Sequence, residues 1–185
     1  MKSLLKSASL LLAITFATLS ANAQSQKTVQ VGGEAMFPAK NIVQNAVNSK
    51  AHTTLVAAVK AAGLVETLQG KGPFTVFAPV NDAFENLPAG TVETLLKPEN
   101  KATLTKVLTY HVVSGQYDFK SISALIKKGQ SKLKTVSGGM LSFKMNGPRN
   151  IVVMDESGNT ANISTYDVYQ SNGVIHSIDT VLLPK

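Results

Sequence analysis

Two hydrophobic periods divide the chain. Up to about residue 128 the apolar positions recur at helical spacing, and from residue 133 onward they alternate in steps of two. After Pro38, the residues Ile42, Val43, Ala46 and Val47 form one apolar stripe, which predicts a first helix. A second helix is predicted over residues 54–62, presenting Leu55, Val56 and Val59, with Gly63 placed for a left-handed C-terminal cap. Residues 64–68 read as one more helical turn, stopped by Gly70 and Gly72. Residues 74–78 mix aromatic and β-branched side chains in period two and are broken by Pro79, so they predict a strand. Asn81 is a plausible N-cap for a short helix through Asp82, Ala83 and Phe84. Helices follow over 91–96 and 98–109, the second opened by Pro98 at a position where its missing N–H does no harm. Asp118 should cap another, ending near Lys128 with Gly129 beyond it.

The period-two half predicts strands at 133–136, 140–145, 151–154, 160–165, 173–178 and 180–183. Turn residues separate most of them: Ser137-Gly138-Gly139, Asn146-Gly147-Pro148 and the run from Glu156 to Asn159. A helix-rich first half and a strand-rich second half argue for an α+β fold rather than alternating βαβ units. Residues 38–184 show no internal repeat, low-complexity tract or linker, so they read as one domain. Residues 24–37 are polar and contain Gly32 and Gly33, and read as a flexible lead-in.

The N-terminus has a different purpose. Lys2 and Lys6 precede a short apolar core through Leu10, Leu11, Leu12 and Phe16, and Ala21-Asn22-Ala23 is a small-residue cleavage site. Residues 1–23 therefore read as a secretory signal peptide. The apolar run is shorter than the ~20 residues a membrane span requires, and no later stretch reaches that length. Cleavage removes two of the 18 Lys and Arg residues and none of the 11 Asp and Glu, which takes the formal charge from +7 to +5. The chain contains no Cys, so an exported form has neither disulfide nor thiol chemistry and depends on packing alone.

Two segments carry most of the pattern information, residues 75–84 and 171–184, with Tyr110 and His111 between them. Each is an apolar strand meeting a polar turn. Both strands are apolar on each face, as expected of central strands covered on two sides. In this order the segments resemble the two blocks and the Tyr-His pair of the fasciclin (FAS1) family. Val80 stands where threonine is more usual, and Ser177 where a larger apolar residue is more usual. The resemblance covers essentially all of residues 38–184 and is similar to the single-domain bacterial secreted type. It implies the FAS1 fold, a helix-rich first half packed on a β-sandwich or wedge of about seven strands. It also implies a non-enzymatic module of adhesion or matrix type. An Asp followed by an aliphatic residue just before the second block belongs to a recognition motif in animal members. The matching positions here are Asp167 and Val168, flanked by Tyr166 and Tyr169, so Asp167, Val168, Tyr110 and His111 are the candidate adhesion contacts. Other fasciclin-like proteins resemble pigment or lipid binders. This leaves an apolar-ligand carrier for lipid or carotenoid as the alternative, with a groove formed by Phe77, Phe84, Met140, Phe143 and Met145.

The remaining chemistry points away from catalysis. His52, His111 and His176 lie 59 and 65 residues apart, without the tight local spacing of a zinc site. His176, Ser177 and Asp179 are close in sequence, but strand alternation sets His176 on the face opposite both partners, and no G-x-S-x-G elbow exists. No catalytic residue, cofactor site or metal site is expected. Lys127, Lys128, Lys132 and Lys134, with Lys120 nearby, cluster around one helix end and loop. Arg149 is the only Arg and no aromatic residues interleave the lysines, which disfavours nucleic acid. These lysines are instead candidate contacts for an anionic polysaccharide, lipopolysaccharide or membrane surface. The expected partner is thus a surface or matrix protein or an anionic polysaccharide, outside the cytoplasm and without a stable membrane anchor. The partner's identity and the oligomeric state stay open.

Overall fold

The computed structural model describes residues 28–185, so the expected signal peptide lies outside the described residues. Chain order begins with a hairpin of β1 (Val29–Val31) and β2 (Glu34–Met36), paired antiparallel. This corrects the flexible lead-in expected there. Gly32 and Gly33 take positive φ of 61° and 81°, the conformation a two-residue hairpin turn demands, and Val31 and Met36 are buried in the core. Helix α1 (Ile42–Ala46) follows, capped by Asn41 and Gln44 in a reciprocal capping box. Then come α2 (Thr53–Ala62), α3 (Val65–Gln69), β3 (Phe74–Pro79), α4 (Asn81–Glu85) and α5 (Thr91–Leu95). A 3-10 turn at Pro98–Asn100 feeds α6 (Lys101–Tyr110). Beyond it lie β4 (Val112–Ser114), α7 (Phe119–Lys127), β5 (Lys132–Lys134) and β6 (Met140–Met145). The last strands are β7 (Ile151–Met154), β8 (Thr160–Gln170) and β9 (Gly173–Ile178).

Seven strands form one sheet in the order β4-β3-β9-β8-β7-β6-β5. Every pair is antiparallel except β3 with β9, where Phe77 stands opposite His176. A bridge from Val113 to Thr135, with the Val136 amide donating to the Val112 carbonyl at 2.7 Å, brings the two edges together. The sheet is therefore a nearly closed wedge, and its edges are largely removed. The α+β architecture read from the periodicities is the one observed.

The two apolar faces of β3 and β9 serve two cores. Val76, Ala78, Ile175 and Val168 face the helices, meeting Ile42, Leu55, Leu104 and Leu108. Phe77 and Ile178 face the inside of the wedge, meeting Leu141, Phe143, Ile151 and Val153. All six residues of β9 are buried.

Three local details depart from the pattern reading. Asn81 does not cap its own helix. Its Oδ1 accepts from the Thr54 amide at 3.1 Å and the Thr53 hydroxyl at 3.2 Å, while Nδ2 donates to the Lys50 carbonyl at 2.8 Å. It thereby caps α2 from across the fold, where free helix-start amides need an acceptor. β8 continues to Gln170 through two register shifts, rather than ending near residue 165. Residues 180–183 form no strand, although Val181 and Leu182 are buried.

Candidate functional site

Tyr110 and His111 end α6 and are enclosed. The Tyr110 hydroxyl donates to the Met140 carbonyl at 2.8 Å and accepts from the Glu156 amide at 3.1 Å. It pins the helix end to β6 and to the turn before β8, and burial pushes its pKa up. His111 Nδ1 lies 2.8 Å from the Val107 carbonyl and therefore donates, while Nε2 accepts from the Leu182 amide at 3.0 Å. This imidazole is neutral, its pKa lowered by burial to about 4. The pair is a clamp on the C-terminal segment, which corrects its expected role as an adhesion contact: neither ring is presented to a partner. Tyr110→Phe should cost about 1 kcal/mol by removing two hydrogen bonds to part-buried backbone groups. Chemical denaturation would show the loss, with surface attachment by the folded protein unchanged.

Asp167 and Val168 sit in the irregular stretch of β8. Asp167 is the one non-glycine residue at positive φ among the described residues, at 57°. Its Oδ1 accepts from the Phe119 amide at 2.8 Å, the start of α7, and its own amide donates to His176 Nδ1 at 3.3 Å. His176 Nε2 donates to the Tyr117 carbonyl at 2.8 Å, so this buried ring too is neutral, its pKa lowered by burial. Val168, at 1 % exposure, packs into the helix-side core beside Ile175 and is not a surface contact. The neighbour that does face solvent is Tyr169, at 39 % exposure. Its hydroxyl donates to Asp118 Oδ2 at 3.1 Å, and burial together with that carboxylate raises its pKa to about 12. Asp118 also accepts from the Ser121 hydroxyl at 2.6 Å and its amide at 2.8 Å, which holds its carboxyl below the usual range. The bulge thus gathers Asp118, Asp167 and Tyr169 into an acidic, aromatic strip. Asp118 was legible only as a helix cap; its place beside Tyr169 depends on a contact 51 residues apart.

Lys127 ends α7 and Lys128 follows it, while Lys132 and Lys134 point outward from β5 on either side of inward-facing Leu133. All four are exposed, and the ion pair found among the described residues, Lys50 with Glu34 at 3.0 Å, involves none of them. The acidic strip and the basic cluster occupy opposite ends of α7, about 13 Å apart at the rise of an α-helix, and each suits the helix dipole at its end.

A cavity of about 280 Å³ lies between α1, α2, α3 and the helix-facing side of β3 and β9. Of the residues expected to form an apolar groove, only Phe77 reaches it. Phe143 and Met145 belong to the inside of the wedge, Phe84 packs around α4, and Met140 is half-buried on β6. The groove expectation is corrected accordingly: Phe143 and Met145 lie on the other side of the sheet, and Phe84, although packed against the helix-side core, does not line the cavity. His176, Ser177 and Asp179 are not assembled as a catalytic set, since Asp179 is engaged by the Asn162 amide and side chain, each at 2.8 Å. Among the described residues no three His, Asp or Glu side chains are placed to hold a metal ion, and no helix is long and apolar enough to cross a membrane.

The architecture is a nearly closed wedge with helices on one face, the parallel neighbours β3 and β9 and a tyrosine–histidine clamp. The Fasciclin domain model matches residues 50–184, and the chain belongs to that family. It is 48% identical over 160 residues to the protein sll1483 of Synechocystis sp., covering 86% of this chain and 82% of that one. It is 36% identical over 144 residues to the immunogenic protein MPB70 of Mycobacterium bovis, covering 75% of this chain and 66% of the relative. Against the transforming growth factor-beta-induced protein ig-h3 of Sus scrofa it is 38% identical over 130 residues, 70% of this chain but 17% of that longer protein. Among solved structures, a FAS1 domain pair from the insect cell adhesion molecule Fasciclin I superposes with a TM-score of 0.69 at 18% identity. That match covers 78% of this chain and 51% of the pair, and it shows the fold.

Proposed function

We propose that this protein is an exported, non-catalytic fasciclin module that holds a cell or matrix surface through the strip at Asp167, Tyr169 and Asp118. The observation that carries the reading is the bulge in β8. It puts a carboxylate at positive φ between two tyrosines and fixes it there through the start of α7. Related proteins support a surface role: the cell surface glycolipoprotein MPB83 of Mycobacterium bovis is 33% identical over 159 residues, covering 83% of this chain and 64% of that one. The partner is a surface or matrix protein, or an anionic polysaccharide held by Lys127, Lys128, Lys132 and Lys134.

The test is retention of the purified protein on intact cells across a salt series. Tyr169→Ser should reduce retention about tenfold at every salt concentration, the loss of one well-placed aromatic contact. Replacing the four lysines by Gln should reduce it only at low salt, where exposed charges are poorly screened. Retention unchanged in both variants would defeat the adhesion reading.

A second reading is favoured by the cavity between α2 and β3: a carrier of an apolar ligand, housed on the helical side of the sheet.

A further inference from the structure

The cavity is walled almost entirely by hydrocarbon, and two imidazoles reach it: His111, whose ring nitrogens are both taken by Val107 and Leu182, and His52. His52 is 3 % exposed, and its Nε2 has no hydrogen-bond partner. The Ala78 carbonyl lies close enough to oppose the lowering of the His52 pKa by burial, but it does not meet hydrogen-bond geometry. Nδ1 is 2.9 Å from the Ser49 hydroxyl, which itself lies 3.5 Å from the Val31 carbonyl. If Ser49 donates to Val31, Nδ1 carries the proton and Nε2 is a bare acceptor. If Ser49 donates to the ring, Nε2 carries the proton and is a bare donor. Either way a buried polar atom is left open, a state that costs about 1–3 kcal/mol.

The space itself is built in. Leu55, Val56 and Val59 of α2 and Val76 and Ala78 of β3 line it from facing sides, although α2 packs mainly against α6 and α4. At the mouth Val47 and Val136 are 48 % and 45 % exposed, large apolar residues left in water. Lys60, on the exposed side of α2, is the one charged side chain in the lining among the described residues. At about 30 Å³ per water-sized group, the 280 Å³ accommodates a chain of roughly nine or ten carbons.

We propose that this cavity binds a single-chain apolar molecule ending in a hydroxyl, its chain lying between α2 and β3 and its hydroxyl on His52 Nε2. The proposal rests on the carrier reading above and is independent of the adhesion reading. A hydroxyl is the group that serves both ring tautomers, donating to one and accepting from the other. A carboxylate is refused, because the buried lining offers no cation to offset its desolvation.

The test is an NMR titration of the purified exported protein with 1-decanol, decanoate and n-octane, following the Leu55 and Val76 amides and the His52 ring proton. Decanol should bind saturably and about tenfold more tightly than decanoate, the equivalent of one hydrogen bond. His52→Leu should abolish the preference of decanol over octane. Val59→Phe, which fills the cavity and leaves the imidazole in place, should abolish binding of all three. If neither decanol nor octane gives saturable shifts at these residues, the carrier reading and this proposal both fail. If the two bind alike, or if the preference survives His52→Leu, the carrier reading stands and hydroxyl recognition by His52 is wrong.

Discussion

Acidifying the protein from pH 7 to pH 4 is expected to remove about 3 kcal/mol of stability through His111 alone. In the fold this ring is neutral, donating to Val107 and accepting from Leu182, with its pKa lowered from 6.5 to about 4. The unfolded chain therefore binds a proton that the folded chain refuses between those two values. Stability is full above pH 6.5, declines as the pH falls through the interval, and has been lost by about pH 4. Each pH unit of that interval is worth about 1.4 kcal/mol. Burial lowers the pKa of His52 and His176 as well, so their contributions carry the same sign. Asp155, near His111, opposes the lowering, and its side chain accepts from the Leu183 amide at 3.1 Å. The measurement is the guanidinium midpoint at pH 7, 5.5 and 4. His111→Gln should start lower at pH 7 and show a flatter profile. A wild-type midpoint that did not move between pH 7 and pH 4.5 would show that His111 does not titrate as its burial requires.

Gly173→Ala should cost about 3 kcal/mol, at the upper end of what overpacking usually does. Gly173 opens β9 directly opposite Phe74, and a methyl group there would run into the Phe74 carbonyl, with the Phe74 carbon and amide nitrogen each at 2.9 Å. The obstacle is main chain, so no side-chain rotation relieves it. The same region holds the Phe74 amide on the Asn172 carbonyl at 3.0 Å, and Asn172 Nδ2 donates to Leu68 and Gly70 at 2.9 and 3.0 Å. Gly129→Ala is the control. It has a positive φ of 74° with open space around it, so it should cost about 1 kcal/mol for conformation alone. Equal losses from the two substitutions in thermal unfolding would mean that the close approach of β3 and β9 is not what requires glycine at 173.

The elements that could be read from sequence are those whose signal is local and long enough to show a period. β6, β7 and β9 emerged from alternation, and α7 from its Asp118 cap and the Gly129 beyond its end. β4 escaped because its three residues follow a helix immediately and complete no period. The first hairpin was misread because Gly32-Gly33 looks like mobility, whereas two consecutive positive φ angles make a tight turn. Residues 180–183 alternate convincingly, yet Val181 and Leu182 enter different clusters without joining a ladder. At the site, Asp167 was legible and Tyr169 was seen only as its flank. The burial of Tyr110, His111 and Val168 was not legible, since it depends on Met140, Leu182 and Ile175, residues distant in the chain or across the sheet. The cavity could not be read at all, because it is a gap between elements and no residue pattern encodes a gap.

The parallel pairing of β3 with β9 also sets a timetable. The strand made last lies between β3 and β8, in the middle of the sheet, and it carries the shared boundary of both cores. A nascent chain that stops before residue 173 has no partner for the inner edge of β3 and no floor for the wedge. Completion therefore waits for the C-terminus and for the closure of a loop of nearly a hundred residues, the kind of long-range pairing that slows folding. A protein assembled this way stays open until its last strand is made, since the residues that would lock it arrive last.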